Sequence, residues 1–196
     1  MSRIGARLAL LALLSAMGRP GAAQDSTWQA INGEGVLRAS AIVDSVFIDK
    51  QIPRATVGGG DFTAYLMARL GVTQIPPDFN YRVTVDSTRI RLGGRLADLP
   101  REAHAVLDPL FLLLAPDTHL VAEVTLLHAG PRAEHFRLES VLIEGVPLPE
   151  SLLQPVMSGV GQQYPALTSS GRDLYVEIPA GGRITLLPDS VGLTGP

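Results

Sequence analysis

Cysteine is absent from this 196-residue chain. That absence excludes a disulfide framework, a thiolate-held zinc or iron–sulfur site and a cysteine nucleophile. It also excludes the lipid-modified cysteine of a bacterial lipoprotein. Lysine occurs once, as Lys50, and only 18% of residues are charged, with 16 basic against 19 acidic. A chain of that balance has no basic face for nucleic acid. Aromatic residues make up just 5%, so the apolar material is mostly aliphatic. At 46% hydrophobic there is far too much of it for a disordered protein. The length suits one ordinary domain with a sizeable core.

The first segment reads as an address. Arg3 and Arg7 precede the apolar stretch Leu8 to Leu14, which continues to Met17 and gives way to the small residues Gly21, Ala22 and Ala23. A charged start, a short apolar middle and a small-residue exit describe a secretory signal peptide. The apolar middle is about half of the roughly 20 residues that a membrane span requires. Residues 1–23 are therefore expected to be a leader, with Gln24 the first mature residue. Its removal takes Arg3, Arg7 and Arg19, leaving 13 basic against 19 acidic residues. The expected location is periplasmic or secreted, and no membrane span is expected after the leader.

Residues 24–56 read as a lead-in with one uncertain helix. Ala39, Val43, Val46 and Phe47 fit a helical stripe, although many β-branched residues weaken it. Residues 57–196 read as a single α+β domain. Asp61 is expected to cap a short helix through Phe62, Tyr65, Leu66, Arg69 and Leu70, closed by Gly71. Alternation then predicts three hairpins: Tyr81 to Leu92, Leu120 to Ile143, and Leu174 to Leu186. Two apolar segments interrupt them. Pro100 to Pro116 contains Leu110 to Ala115 without a polar break, and Pro149 to Tyr164 carries Leu152, Leu153, Val156, Met157 and Val160 on one stripe. The fold class expected is α+β: a curved, mostly antiparallel sheet of about six strands packed on two or three helices.

Chemical motifs are weak. Gly58-Gly59-Gly60 lacks the G-x-G-x-x-G and G-K-[ST] patterns, and Asp61 puts negative charge where a phosphate would sit. His119, His128 and His135, with Asp117, Glu123 and Glu134, do not gather two ligands on one strand face. If Leu120 and Leu126 face inward, His119 and Glu123 point outward and His128 inward. Ser158-Gly159 and Ser170-Gly171 are not set in a nucleophile elbow, and Gly171-Arg172-Asp173 reads as a turn. No cofactor, metal or catalytic residue is assigned, and the chain is not expected to be an enzyme.

The apolar excess has two readings. Either Leu110 to Ala115 and Leu152 to Val160 are packed core, or they line an elongated cavity for a lipid or another apolar ligand. In the second case Arg82, Arg89, Arg91 or Arg95 would lie near the rim, with Arg89 and Arg91 in reach of a head group. Two rivals stand beside the binder: an envelope scaffold or assembly protein with a fully packed core and a protein partner, and a hydrolase without a recognisable motif.

Asp61-Phe62-Thr63-Ala64-Tyr65-Leu66 before strands, and Phe136-x-Leu138-x-x-Val141-x-Ile143-x-Gly145-Val146-Pro147-Leu148-Pro149 before an apolar helix, resemble the bacterial secreted TULIP-like (tubular lipid-binding) proteins and phospholipid-binding envelope proteins. The resemblance covers roughly residues 57–187. It implies a helix lying in a curved antiparallel sheet, lipid tails in the groove between them, and a lining that includes Tyr65, Leu66, Leu113, Leu153 and Met157. The chain departs from that group in being a short single unit without a lipoprotein cysteine.

Overall fold

The computed structural model describes residues 27–72, 74–99, 114–164, 166, 168 and 171–196. Residues 1–26, on which the expected leader falls, and residues 100–113, which include Leu113 and most of the first apolar segment, lie outside the described residues. The described chain forms β1 (Gln29–Ala30), α1 (Gly33–Val43), a π-helical turn (Asp44–Ile48), β2 (Arg54–Gly58), α2 (Gly59–Leu70), β3 (Arg82–Val85) and β4 (Arg89–Arg95). There follow β5 (His119–Gly130), β6 (Ala133–Ile143), β7 (Val146–Pro147), α3 (Glu150–Gln163), β8 (Asp173–Glu177), β9 (Arg183–Leu187) and β10 (Ser190–Thr194).

The fold is α+β, as the alternating and helical patterns predict. One open sheet runs β1-β3-β4-β5-β6-β7, with β8 also paired to β6. A second sheet of three strands runs β2-β10-β9. Every strand pair is antiparallel. The six strands expected are all present, and β1, β2, β7 and β10 are additional.

α1 starts at Asn32, whose side chain accepts from the Gly35 N–H at 2.9 Å. Its stripe buries Ala39 and Val43, and the π turn then shifts the phase so that the adjacent Val46 and Phe47 both reach the core. Ile48, one residue on, is left 69% exposed. α2 begins earlier than expected. Gly58, not Asp61, is its N-cap, and no side chain caps it. The first amides are instead taken from outside the helix: Gly59 N–H donates to the Asp189 carbonyl at 3.1 Å and Gly60 N–H to Gln29 Oε1 at 3.0 Å. Asp61 is thereby freed to clamp Arg38 of α1, with Nε–Oδ2 at 2.9 Å and Nη2–Oδ1 at 2.7 Å. Gly71 closes α2 in the left-handed conformation at φ 100°, as its position predicts.

The third expected hairpin does not form. β8 pairs with β6, setting Leu174 opposite Phe136, whereas β9 pairs with β10. The chain changes sheets through Pro179 to Gly182, where Gly181 has φ 90°. Both arms keep their alternation: Leu174 and Val176 are buried from one sheet, Ile184 and Leu186 from the other. Residues before position 57 also contribute to the core: Ile31, Ala39, Val46 and Phe47 cluster with Phe62, Val83 and Phe136.

Asp189, in the turn between β9 and β10 with φ 58°, gathers three other segments. Its backbone N–H donates to the Val85 carbonyl at 2.9 Å. Its carbonyl accepts from Gly59 N and from Gln29 Nε2, and its Oδ1 accepts from Thr27 N at 2.7 Å.

Candidate functional site

The register of the large sheet fixes what each face carries. Val83 lies opposite Leu92 and Val85 opposite Ile90; Ile90 then meets Val124, and Leu92 meets Ala122. Across β5 and β6, Leu126 pairs with Phe136 and Val124 with Leu138, and beyond an irregularity Ala122 pairs with Val141 and Leu120 with Ile143. That irregularity inserts Glu139 as an extra residue, and it keeps Val141 and Ile143 on the same face as Leu138. The inner face is thus apolar from Leu120 to Leu126 and from Phe136 to Ile143, and aliphatic apart from Phe136.

Burial divides that face in two. Beside α1, α2 and the second sheet, Val83, Val85, Ile90, Phe136, Leu174 and Val176 are buried, and Phe136 sits 6.0 Å from Phe62, ring to ring. Further along β5 and β6, Ala122, Leu138, Val141 and Ile143 are half-buried, whereas Leu120, opposite Ile143, is buried. α3 forms the connection between β7 and β8, both of which pair with β6. Its start is tied by Glu150 to Arg172, whose carbonyl accepts the Leu138 N–H at 2.9 Å. Leu153 and Val156 on this helix are buried, Met157 and Val160 half-buried, and Leu152 exposed.

The residues implied by the resemblance fall into two groups. Leu153 and Met157 lie one turn apart on α3. Leu66 belongs to the packed core under α2. Tyr65, its neighbour, is half-buried and lines a cleft of about 500 Å³ with Val43, Phe47, Arg69 and Ile178; burial raises the pKa of its hydroxyl. That cleft is built from α1, the π turn, α2 and the end of β8, without a residue of α3.

Arg89 and Arg91 occupy the outer face and converge on Glu123. Arg91 Nε donates to Glu123 Oε1 at 3.0 Å, Arg89 lies 3.7 Å from Oε2, and Ser140 Oγ donates to Oε2 at 3.0 Å. Burial acts to raise the Glu123 pKa, but the Ser140 and Arg91 hydrogen bonds and the two arginine charges outweigh it and leave the carboxyl below its ordinary value. Both arginines are therefore on the side of the sheet opposite Leu138 and Val141.

Two residues that the sequence offers only as poor metal-ligand candidates, Glu134 and His128, come together in the structure. Glu134, buried to 1% exposure, accepts from the Ile184 N–H at 3.3 Å and meets His128 Nδ1 at 3.2 Å. It joins β6 to β9 across a cleft of about 430 Å³. The alternation that turns Phe136 inward does the same to Glu134, beside the inward His128 expected from the sequence. On the outer face His135 is held by Asp173 at 2.6 Å and stacks on Tyr175, its cross-strand neighbour. Among the described residues no cluster of three or more His, Asp or Glu side chains is disposed to hold a metal ion, and no helix is long and apolar enough to cross a membrane. No family model, curated protein or solved structure matches the chain.

Proposed function

We propose that the chain is an exported, periplasmic or secreted, non-enzymatic binding protein whose ligand is a lipid or another apolar molecule held against the inner face of β5 and β6 beside α3. The observation that carries this reading is the change in burial along one continuous apolar face. The end under α2 is closed by Phe62 and Phe136, whereas Ala122, Leu138, Val141 and Ile143 are left half-buried. The inner face offers those residues without a charged group between them, so binding would proceed by partition. Each methylene moved from water onto such a surface contributes about 0.8 kcal/mol. An acyl chain of about twelve carbons then gains on the order of 10 kcal/mol before the cost of immobilisation. The leader-like start supports export. Aliphatic rather than aromatic lining suits flexible chains better than flat rings.

Native mass spectrometry of the protein isolated from the periplasm of an expressing bacterium tests the proposal, together with uptake of fluorescent phosphatidylethanolamine from vesicles. A lipid-sized adduct and saturable uptake are expected, with uptake lost in Leu138→Asp and Met157→Asp variants that keep their circular dichroism. A clean apo mass with no uptake by the unmodified protein refutes the binder and leaves the packed scaffold.

A further inference from the structure

A concavity of about 610 Å³ opens on the outer face of the large sheet, away from the aliphatic strip, between Trp28, Asn80, Arg82, Arg95, Asp98 and His119. We infer that it is a saccharide-binding site with the Trp28 indole as its stacking platform.

The platform is held in place from both sides. Thr27 N–H is fixed on Asp189 at 2.7 Å, and Gln29 and Ala30 pair with Val83 and Arg82 in the β1–β3 ladder. The six-membered ring rests on Gly93, where a Cβ would lie only 2.7 Å from Cη2 and 3.0 Å from Cζ3. Any side chain at that position would lift the ring off the strand. Trp28 nevertheless remains 44% exposed, so part of the indole faces the cleft. An aromatic ring with few rotatable bonds, anchored by its own backbone, can be used for binding with little ordering cost.

Polar groups surround the ring. Arg95 forms a fork on Asp98 with two contacts of 2.9 Å, and Asn80 adds a hydrogen bond to the same carboxylate. Arg82 and the His119 ring are exposed and have no ion pair among the described residues. The cleft thus presents an apolar plate ringed by a carboxylate, an amide, a guanidinium and an imidazole. A sugar ring has the matching arrangement. Its C–H face stacks on the indole while its hydroxyls, directed outward in the ring plane, both donate and accept.

Other ligand classes fit less well. A nucleobase can stack on tryptophan, but its phosphates need uncancelled positive charge. Here Asp98 neutralises Arg95, which leaves Arg82 as the single guanidinium in the cleft without an ion pair among the described residues, and the chain as a whole carries −3. A purely apolar ligand would cover Asn80, Asp98 and Arg82 without satisfying them.

Trp28 is the only tryptophan in the chain, so the emission of the full-length exported protein reports on this cleft alone. The probes are maltohexaose, chitohexaose and hexagalacturonate, with adenosine monophosphate as the nucleobase arm. The expected result is a saturable change in emission with at least one saccharide. Calorimetry of the same saccharide should show binding weakened about tenfold or more by Arg82→Ala and abolished by Trp28→Ala. Arg82→Ala alters an exposed side chain, so its thermal midpoint should not move. The inference is overturned if no saccharide saturates the signal, if the nucleotide does so instead, or if both variants bind as tightly as the unmodified protein.

Discussion

Truncating Phe136 and Leu138 separately to alanine compares two sites one step apart on the same face of β6. Phe136 is 2% exposed and lies 6.0 Å from the Phe62 ring. Its removal opens a closed cavity and should cost about 4 kcal/mol, the middle of the range for buried phenylalanine. Leu138 is half-buried. Water can occupy the space its side chain leaves, so the cavity penalty falls away and about 1 kcal/mol of transfer energy remains. With a urea slope of about 2 kcal/mol per M, the unfolding midpoint should drop by about 2 M for Phe136→Ala. For Leu138→Ala the corresponding drop is only about 0.5 M. Equilibrium unfolding followed by far-ultraviolet circular dichroism measures both. Equal midpoints for the two variants would refute the division of the inner face into a closed and an open part, and with it the basis for ligand binding beside α3.

Two further outcomes follow from individual residues. The Tyr81 hydroxyl is buried without a hydrogen-bond partner among the described residues, and burial raises its pKa. Tyr81→Phe should therefore stabilise the fold by about 1 kcal/mol and raise the thermal midpoint by about 3 °C, because it removes an unsatisfied group and keeps the ring; a lower midpoint would contradict this. Glu123 and Asp98 both titrate below their ordinary values in the folded state, Glu123 because its hydrogen bonds and arginines outweigh burial and Asp98 chiefly through its Arg95 hydrogen bond. Their stabilisation is complete above the ordinary carboxylate range of about pH 4 and is lost as the pH falls through the lowered values. Glu123→Gln should flatten the acid limb of stability against pH, as urea midpoints measured across that range would show; an unchanged limb would exclude the arginine pair as its source.

Strong local patterns were readable in the sequence, and the choice of partners was not. The run Phe62, Tyr65, Leu66, Leu70 closed by Gly71 specifies α2 because periodicity and the left-handed terminator agree. Its start was misplaced since the amides of Gly59 and Gly60 are satisfied by Gln29 and Asp189, which lie far away in the chain. β2 buries Val57 alone, and β10 buries only Val191 and Leu193 around Gly192, too little alternation to mark a strand. β8 and β9 carry the right period, but period alone cannot say which strand each will join. The site divides in the same way. The inward aliphatic run of β5 and β6 follows from alternation, whereas the outer cleft needs Trp28, Gly93 and His119 brought together by three separate strand pairings.

β10 lies between β2 and β9, and the turn that precedes it holds Thr27, Gln29, Gly59 and Val85 through the single residue Asp189. Without this hairpin Val57 loses its cross-strand partner Val191 and the Gly59 amide its acceptor. Closure of this region depends on contacts up to 162 residues apart in the sequence, and such long-range contacts make folding slow. A substitution that disturbs the Asp189 turn would therefore be felt at Thr27, Gln29, Gly59 and Val85 at once.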